Sequence, residues 1–203
     1  MIIGLLGFIG SGKGTVGDIL VENNFTPLSF AGVLKDAVSS IFGWDRALLE
    51  GDSDESRVFR ETVDDFWSTK FRKPITPRYI LQYFGTEVCR EKLLDDIWVS
   101  SLERRIQQHA NVVITDVRFK NEINFLKSIG AVFVQIDRKE TRPEWYGFLE
   151  IFPAPTFDAY ANSENIHRSE YDWYGNPLID YILENDGTCQ ELELKVLDVI
   201  VNN

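Results

Sequence analysis

The sequence predicts an α/β fold built on a mainly parallel, doubly wound sheet, and three observations predict it. Short apolar runs alternate with stretches of helical period along most of the 203 residues. The first run, Ile2, Ile3, Leu5 and Leu6, passes directly into a glycine-rich loop that opens a helix. A later run, Val112-Val113-Ile114-Thr115-Asp116, ends on an acid. Two strands therefore carry polar chemistry at their carboxyl ends, where ligands bind in open parallel sheets.

Residues 2–6 read as a central strand, because the run is apolar without alternation and so suits burial on both faces. Residues 13–21 follow as a helix, with Val16, Ile19 and Leu20 on one side. A short strand at 26–30 leads to a helix at 33–42 with Val33, Leu34, Ala37, Val38 and Ile41 inward. Residues 45–73 are charged with scattered apolar positions and read as one or two helices. Thr76-Pro77 marks a helix start, a hydroxyl N-cap followed by proline where no N–H is needed. The stripe of that helix is Ile80, Leu81, Phe84 and Val88.

A further helix is expected at 97–108, the strand at 112–116, a helix at 119–129 stopped by Gly130, and a strand at 132–136. Residues 137–177 mix proline, aromatics and acids without a period. A loop that long in a compact domain reads as a lid or an insertion. Residues 181–183 give a last strand, and Thr188-Cys189-Gln190-Glu191 is a capping box opening the C-terminal helix. The expected organisation is one domain over 1–203, with a helical region at about 31–95 and the lid or insertion at about 137–177.

Composition narrows the function classes. Hydrophobic residues at 44% and aromatics at 13% describe a packed chain, not a disordered one. The net charge of −11 argues against a protein that coats nucleic acid. It leaves a phosphate ligand open, since a few cations in one cleft can outweigh a diffuse negative surface. Cys89 and Cys189 lack metal-ligand spacing and read as reduced thiols. The apolar N-terminus has no basic segment ahead of it, so it reads as a strand and not a leader. No run approaches the ~18 apolar residues of a membrane span. These features imply a soluble cytoplasmic protein with no nucleic-acid or membrane partner, and leave homodimerisation open.

Gly7-Phe8-Ile9-Gly10-Ser11-Gly12-Lys13-Gly14-Thr15 has the Walker A spacing of two glycines, four residues between, then lysine, and sits between a strand and a helix. Glycines let backbone amides converge on a phosphate, the helix N-terminus adds positive charge, and Lys13 reaches the β- and γ-phosphates. Gly10, Ser11, Gly12, Lys13, Gly14 and Thr15 are thus the candidate ATP-binding residues. Gly14 follows the lysine and Thr15 comes one place later, leaving open whether Thr15 meets Mg²⁺ directly or through water.

Asp116 has the form of a Walker B acid, able to orient Mg²⁺ or its water, and equally that of a loop-capping acid. Arg118, two residues on, can clamp a phosphate with two bonds or simply pair with Asp116. Arg78, Gln82, Gly85 and Thr86 recur at intervals of four, three and one, opposite the apolar stripe of their helix. They suit a phosphate and a base, or a solvated face. Lys35 is ambiguous in the same way, as are Arg138 and Arg142, where a lid would bring cations to a transferring phosphoryl. His167, among charged neighbours, reads as a surface histidine.

Taken together, several segments resemble the deoxynucleoside monophosphate kinases of tailed bacteriophages. They are the glycine loop, Phe30-Ala31-Gly32-Val33-Leu34-Lys35-Asp36-Ala37, Arg78…Leu81-Gln82…Gly85-Thr86, and Trp98. Ile114-Thr115-Asp116-Val117-Arg118, His167…Ser169-Glu170 and Glu184-Asn185-Asp186-Gly187 complete the set, and residues 139–165 match least. The resemblance implies a three-layer P-loop kinase fold with an acceptor-binding helical region and a lid. It implies transfer from ATP, with Mg²⁺, to a deoxynucleoside 5′-monophosphate in the cytoplasm, the host's if the chain is phage-encoded. By position, Lys35, Arg78, Gln82, Gly85, Thr86, Trp98, Asp116 and Arg118 are implied on the acceptor side. Lys13, Asp116, Arg118 and Arg138 are then the catalytic set, with Thr15 and Asp116 toward the metal. Weaker similarity reaches dephospho-CoA kinases and animal-type phosphomevalonate kinases, the same chemistry on other acceptors. A non-catalytic nucleotide switch is the alternative of another class; no Asn-Lys-x-Asp guanine motif occurs in the sequence.

Overall fold

A computed structural model of the chain describes residues 1–51 and 53–203. The chain opens with β1 (Ile2–Leu6), α1 (Lys13–Glu22) and β2 (Thr26–Leu28). The helices α2 (Phe30–Phe42), α3 (Asp54–Glu61), α4 (Asp65–Phe71), α5 (Pro77–Tyr83) and α6 (Ile97–Ile106) follow. Next come β3 (Val112–Ile114), α7 (Lys120–Ser128), β4 (Val132–Asp137), α8 (Tyr146–Ile151) and α9 (Ala154–Ser163). β5 (Tyr181–Glu184) and α10 (Cys189–Val201) close the chain. Among the described residues no helix is long and apolar enough to cross a membrane.

The chain divides into two compact units, residues 1–29 with 106–203, and residues 30–105. In the first, five strands lie in the order β2-β3-β1-β4-β5, every neighbouring pair parallel. β1 is central, with Ile3 opposite Val113 on one side and Val132 on the other. Strand residues alternate between faces. Ile3, Leu5, Val113, Val134, Ile136 and Leu183 pack with Val16 and Leu20 of α1 and Leu192, Val196 and Val199 of α10. The alternate residues Leu6, Val112, Ile114 and Phe133 are buried as well, so the sheet is covered on both faces, the three-layer α/β arrangement. The chain leaves β1 toward β2 on one side and β4 toward β5 on the other. The carboxyl ends of β1 and β4 therefore flank a topological switch.

The second unit is helical. Val38, Trp44, Leu49, Ile75, Ile80 and Leu81 form its core, and the Trp44 indole N–H donates to Asp64 at 2.7 Å. The Thr76 side chain caps α5 with Pro77 in the first turn, as the sequence predicts, and Thr188 forms its capping box.

Three local expectations fail. Ile41 is 54% exposed instead of inward. The helix from Pro77 does not keep an α period: after Tyr83 it continues as a seven-residue π-helix, Phe84–Arg90. The wider turn moves the fully buried positions to Gly85 and Cys89, leaving Phe84 and Val88 half-buried. Gly85 packs closely against Leu34: a Cβ there would stand 2.9 Å from Leu34 Cδ2, so the leucine tip would have to move aside.

Residues 137–177 are no open loop either. They hold α8 and α9, with Phe157, Ala161 and Trp173 buried. Their rings gather around Phe8 of the glycine loop: Trp145 at 5.6 Å and Tyr146 at 5.7 Å edge-on, Trp173 at 5.0 Å and Tyr174 stacked at 6.1 Å. Aromatic pairs at these separations add to burial. The segment is packed onto the glycine loop through these rings.

Candidate active site

The turn from β1 into α1 builds an anion cradle. Gly10 and Gly12 hold φ of 80° and 103°, values a side chain would strain. Gly12 caps α1 with no side-chain bond, and the first turn carries no acid. The positive end of the helix is left for an anion. Ser11 is buried, and among the described residues its hydroxyl has no partner. Thr15 and Gly14 are exposed in the first turn.

Lys13 folds back over the loop, its Nζ donating to the carbonyls of Gly7 at 2.7 Å and Phe8 at 2.8 Å. Burial pushes its pKa down to about 8; the Arg118 charge adds to the fall and Glu170 opposes it. The folded chain disfavours the ammonium, so the cost of keeping it charged is present below about pH 8. That cost is relieved as the pH rises toward the ordinary lysine value. A bound polyphosphate favours the ammonium and reverses the fall. ATP binding is therefore expected to take up a fraction of a proton near pH 8.5 and none near pH 6.5, and to weaken above pH 8. Calorimetry in buffers of different ionisation enthalpy measures the uptake. A heat independent of buffer at pH 8.5 would contradict it.

Asp116 lies two residues beyond β3, after Thr115, whose methyl lies against Gly17 of α1. The acid thus stands at the same strand-end edge as the loop. Arg118 is largely exposed; its Nη1 contacts Ser169 Oγ at 3.4 Å and Glu170 Oε1 at 3.3 Å. The buried Glu122 carboxylate accepts from the backbone N–H of Arg118 at 2.9 Å and of Phe119 at 3.1 Å, fixing that turn. Arg118 and Lys13 are close enough to depress Lys13. Lys13, Arg118 and Glu170 therefore form one electrostatic group. At the end of β4, Arg138 pairs with Glu140 at 3.1 Å. Arg142 is held by both oxygens of Asp137 and lies 4.5 Å above the Tyr146 ring.

The remaining sequence-predicted residues lie on the second unit. Lys35 pairs with Glu50 at 2.5 Å, and Glu50 also holds Arg46. Arg78 pairs with Glu61. Gln82 and Thr86 are exposed, on α5 and the π-helix. Trp98 is buried, and its indole N–H donates to the Gly85 carbonyl at 3.0 Å. That bond is spent on holding the π-helix.

A cleft of about 420 Å³ opens elsewhere in the first unit, beside α8, α9 and residues 168–175. Its Arg168 is bound to the buried Asp172 at 2.9 Å, and its Tyr171 hydroxyl to Asp158 at 2.8 Å. Its polar groups are engaged with one another.

Glu170, Glu122 and Asn185 join the site without having been singled out as functional from the sequence. The Glu122 contact spans four residues, and a helix-start glutamate is its local signal. Arg118 meets Glu170 across 52 residues and Asn185 meets Ser11 across 174, separations that local pattern does not carry.

A parallel sheet with a lysine-bearing glycine loop at its switch point defines a P-loop α/β fold. Residues 47–145 match the family described as deoxynucleotide monophosphate kinase. An Acanthamoeba polyphaga mimivirus protein named "Putative deoxynucleotide monophosphate kinase" is 30% identical over 218 aligned residues, spanning 100% of this chain and 97% of that protein. The chain belongs to the deoxynucleotide monophosphate kinase family. Among solved structures, shikimate kinase of Aquifex aeolicus is 20% identical with a TM-score of 0.46, covering 100% of this chain and 98% of that one. Dephospho-CoA kinase of Campylobacter jejuni is 16% identical with a TM-score of 0.43, covering 99% and 96%. Those likenesses are too distant to add to what the topology shows.

Proposed function

We propose that the protein transfers the γ-phosphoryl of ATP, with Mg²⁺, to a deoxynucleoside 5′-monophosphate, giving the diphosphate. The observation that carries this reading is the uncapped, acid-free start of α1 behind Gly10–Gly12, with Lys13 beside it, in a chain of this family. Gly10, Ser11, Gly12, Lys13, Gly14 and Thr15 would hold the ATP phosphates. Mg²⁺ keeps waters and takes one or two carboxylates together with substrate phosphates. Thr15 and Asp116 are the residues that would hold it, and its charge would offset that of the phosphates.

The chain's own cations do the rest. Lys35, Arg78 and Arg118 each rest against a carboxylate, Glu50, Glu61 and Glu170. A phosphate presents the same charge and acceptor geometry, so it can replace the carboxylate on each cation. The attacking oxygen already belongs to an anion, so positioning and charge stabilisation suffice and no strong base is needed. Arg138, whose partner Glu140 lies two residues away on the same turn, is the cation placed to follow the transferring group.

On this reading Gln82 offers donor and acceptor edges to a base, while Arg78 answers to phosphate. Gln82→Ala is expected to cost on the order of 1–3 kcal/mol for the preferred base and so compress discrimination among bases. Arg78→Ala should weaken every acceptor alike. Steady-state kcat/KM for each deoxynucleoside monophosphate tests both. An unchanged base preference in Gln82→Ala removes Gln82 from the reading; base-selective loss in Arg78→Ala reverses the assignment.

A further inference from the structure

Asn185 follows β5 and is held before any ligand arrives. Its backbone N–H donates to the Asp137 carbonyl at 2.7 Å. Its neighbour Asp186 accepts from the Lys139 backbone N–H at 2.9 Å and pairs with Lys139 Nζ at 2.9 Å. From that anchored turn, Asn185 Nδ2 donates to the Ser11 carbonyl at 2.8 Å. The same amide occupies the space where a Cβ on Gly12 would fall. Across a planar trans peptide the carbonyl and the next N–H point in opposite directions. A bond that holds the Ser11 carbonyl toward Asn185 therefore turns the Gly12 N–H to the side away from Asn185.

We propose that Asn185 is a positioning residue that aims the Gly12 amide at the donor's phosphates, and that Gly12 is glycine partly to admit it. The inference deepens the kinase reading and rests on ATP binding at this loop. Asn185 touches the loop through a carbonyl that carries no charge in the reaction, so its effect should reside in phosphate binding and not in the recognition of adenosine.

The test compares Asn185→Leu, which nearly keeps the volume but loses the donor without adding charge, and Asn185→Ala with the unaltered protein. ATP and adenosine affinities, kcat, KM for ATP and thermal midpoint are measured for each. The expected result is a loss in ATP affinity of about tenfold or more, with kcat also reduced because misaimed groups lose rate steeply. Adenosine affinity should be unchanged and the melting midpoint kept within a few degrees. Equal loss of ATP and adenosine would overturn the proposal by making Asn185 a base contact. ATP affinity and kcat unchanged in both variants would overturn it outright. Loss of melting midpoint in step with ATP affinity would overturn it in favour of a purely structural bond. Failure of the unaltered protein to bind ATP would instead remove the kinase reading on which the proposal stands.

Discussion

Lys13→Ala is expected to reduce phosphoryl transfer by about 100-fold or more while the protein stays folded. The lysine's only described bonds are to two carbonyls of its own loop, and it is no part of the apolar cluster behind α1. Its removal even takes away a charge that burial and Arg118 disfavour. On the proposed reading, what is lost is a cation that meets the charge building up on the transferring group, an interaction worth most in the transition state. The fall should thus appear in kcat as much as in kcat/KM. Circular dichroism and the melting midpoint should match the parent. Unfolding in parallel with the loss of activity would mark Lys13 as structural.

Asp116→Asn is expected to cost on the order of 100-fold in kcat, with ATP affinity changed far less. The substitution removes a charge and almost no volume, at the strand-end edge shared with the glycine loop. If the acid orients Mg²⁺ or its water, the Mg²⁺ concentration for half-maximal rate should rise with the fall in kcat. A variant with the parent's rate and Mg²⁺ dependence would return Asp116 to the role of a loop acid.

Much of this architecture was legible because it is written in short-range chemistry. Apolar runs without alternation at 2–6 and 112–114 announced strands buried on both faces, the second ending before Thr115 and Asp116. Thr76 and Thr188 announced helix starts through the bonds that their side chains make. The glycine loop declared itself by spacing and by what flanks it. The π-helix did not, because apolar positions at Phe84 and Val88 suit an α period. Gly85 packs against Leu34, 51 residues away in the chain. Residues 137–177 hid two helices because each is short, Pro143, Pro153 and Pro155 interrupt the period, and the aromatic side chains pack on one another and on Phe8. The chemistry-bearing cations were visible one at a time. Their resting partners, Glu50, Glu61 and Glu170, became visible only once the chain was folded.

The acceptor decides the central claim, and one assay addresses it. The protein is incubated with ATP and Mg²⁺ and, separately, each deoxynucleoside and ribonucleoside monophosphate, dephospho-CoA and phosphomevalonate, while ADP release and the phosphorylated product are measured. The account predicts that one or more deoxynucleoside monophosphates are turned over fastest, with the matching diphosphate formed in equal amount to ADP. Turnover confined to dephospho-CoA or phosphomevalonate would contradict the substrate while leaving a kinase. ADP release without product from any acceptor would contradict the kinase itself.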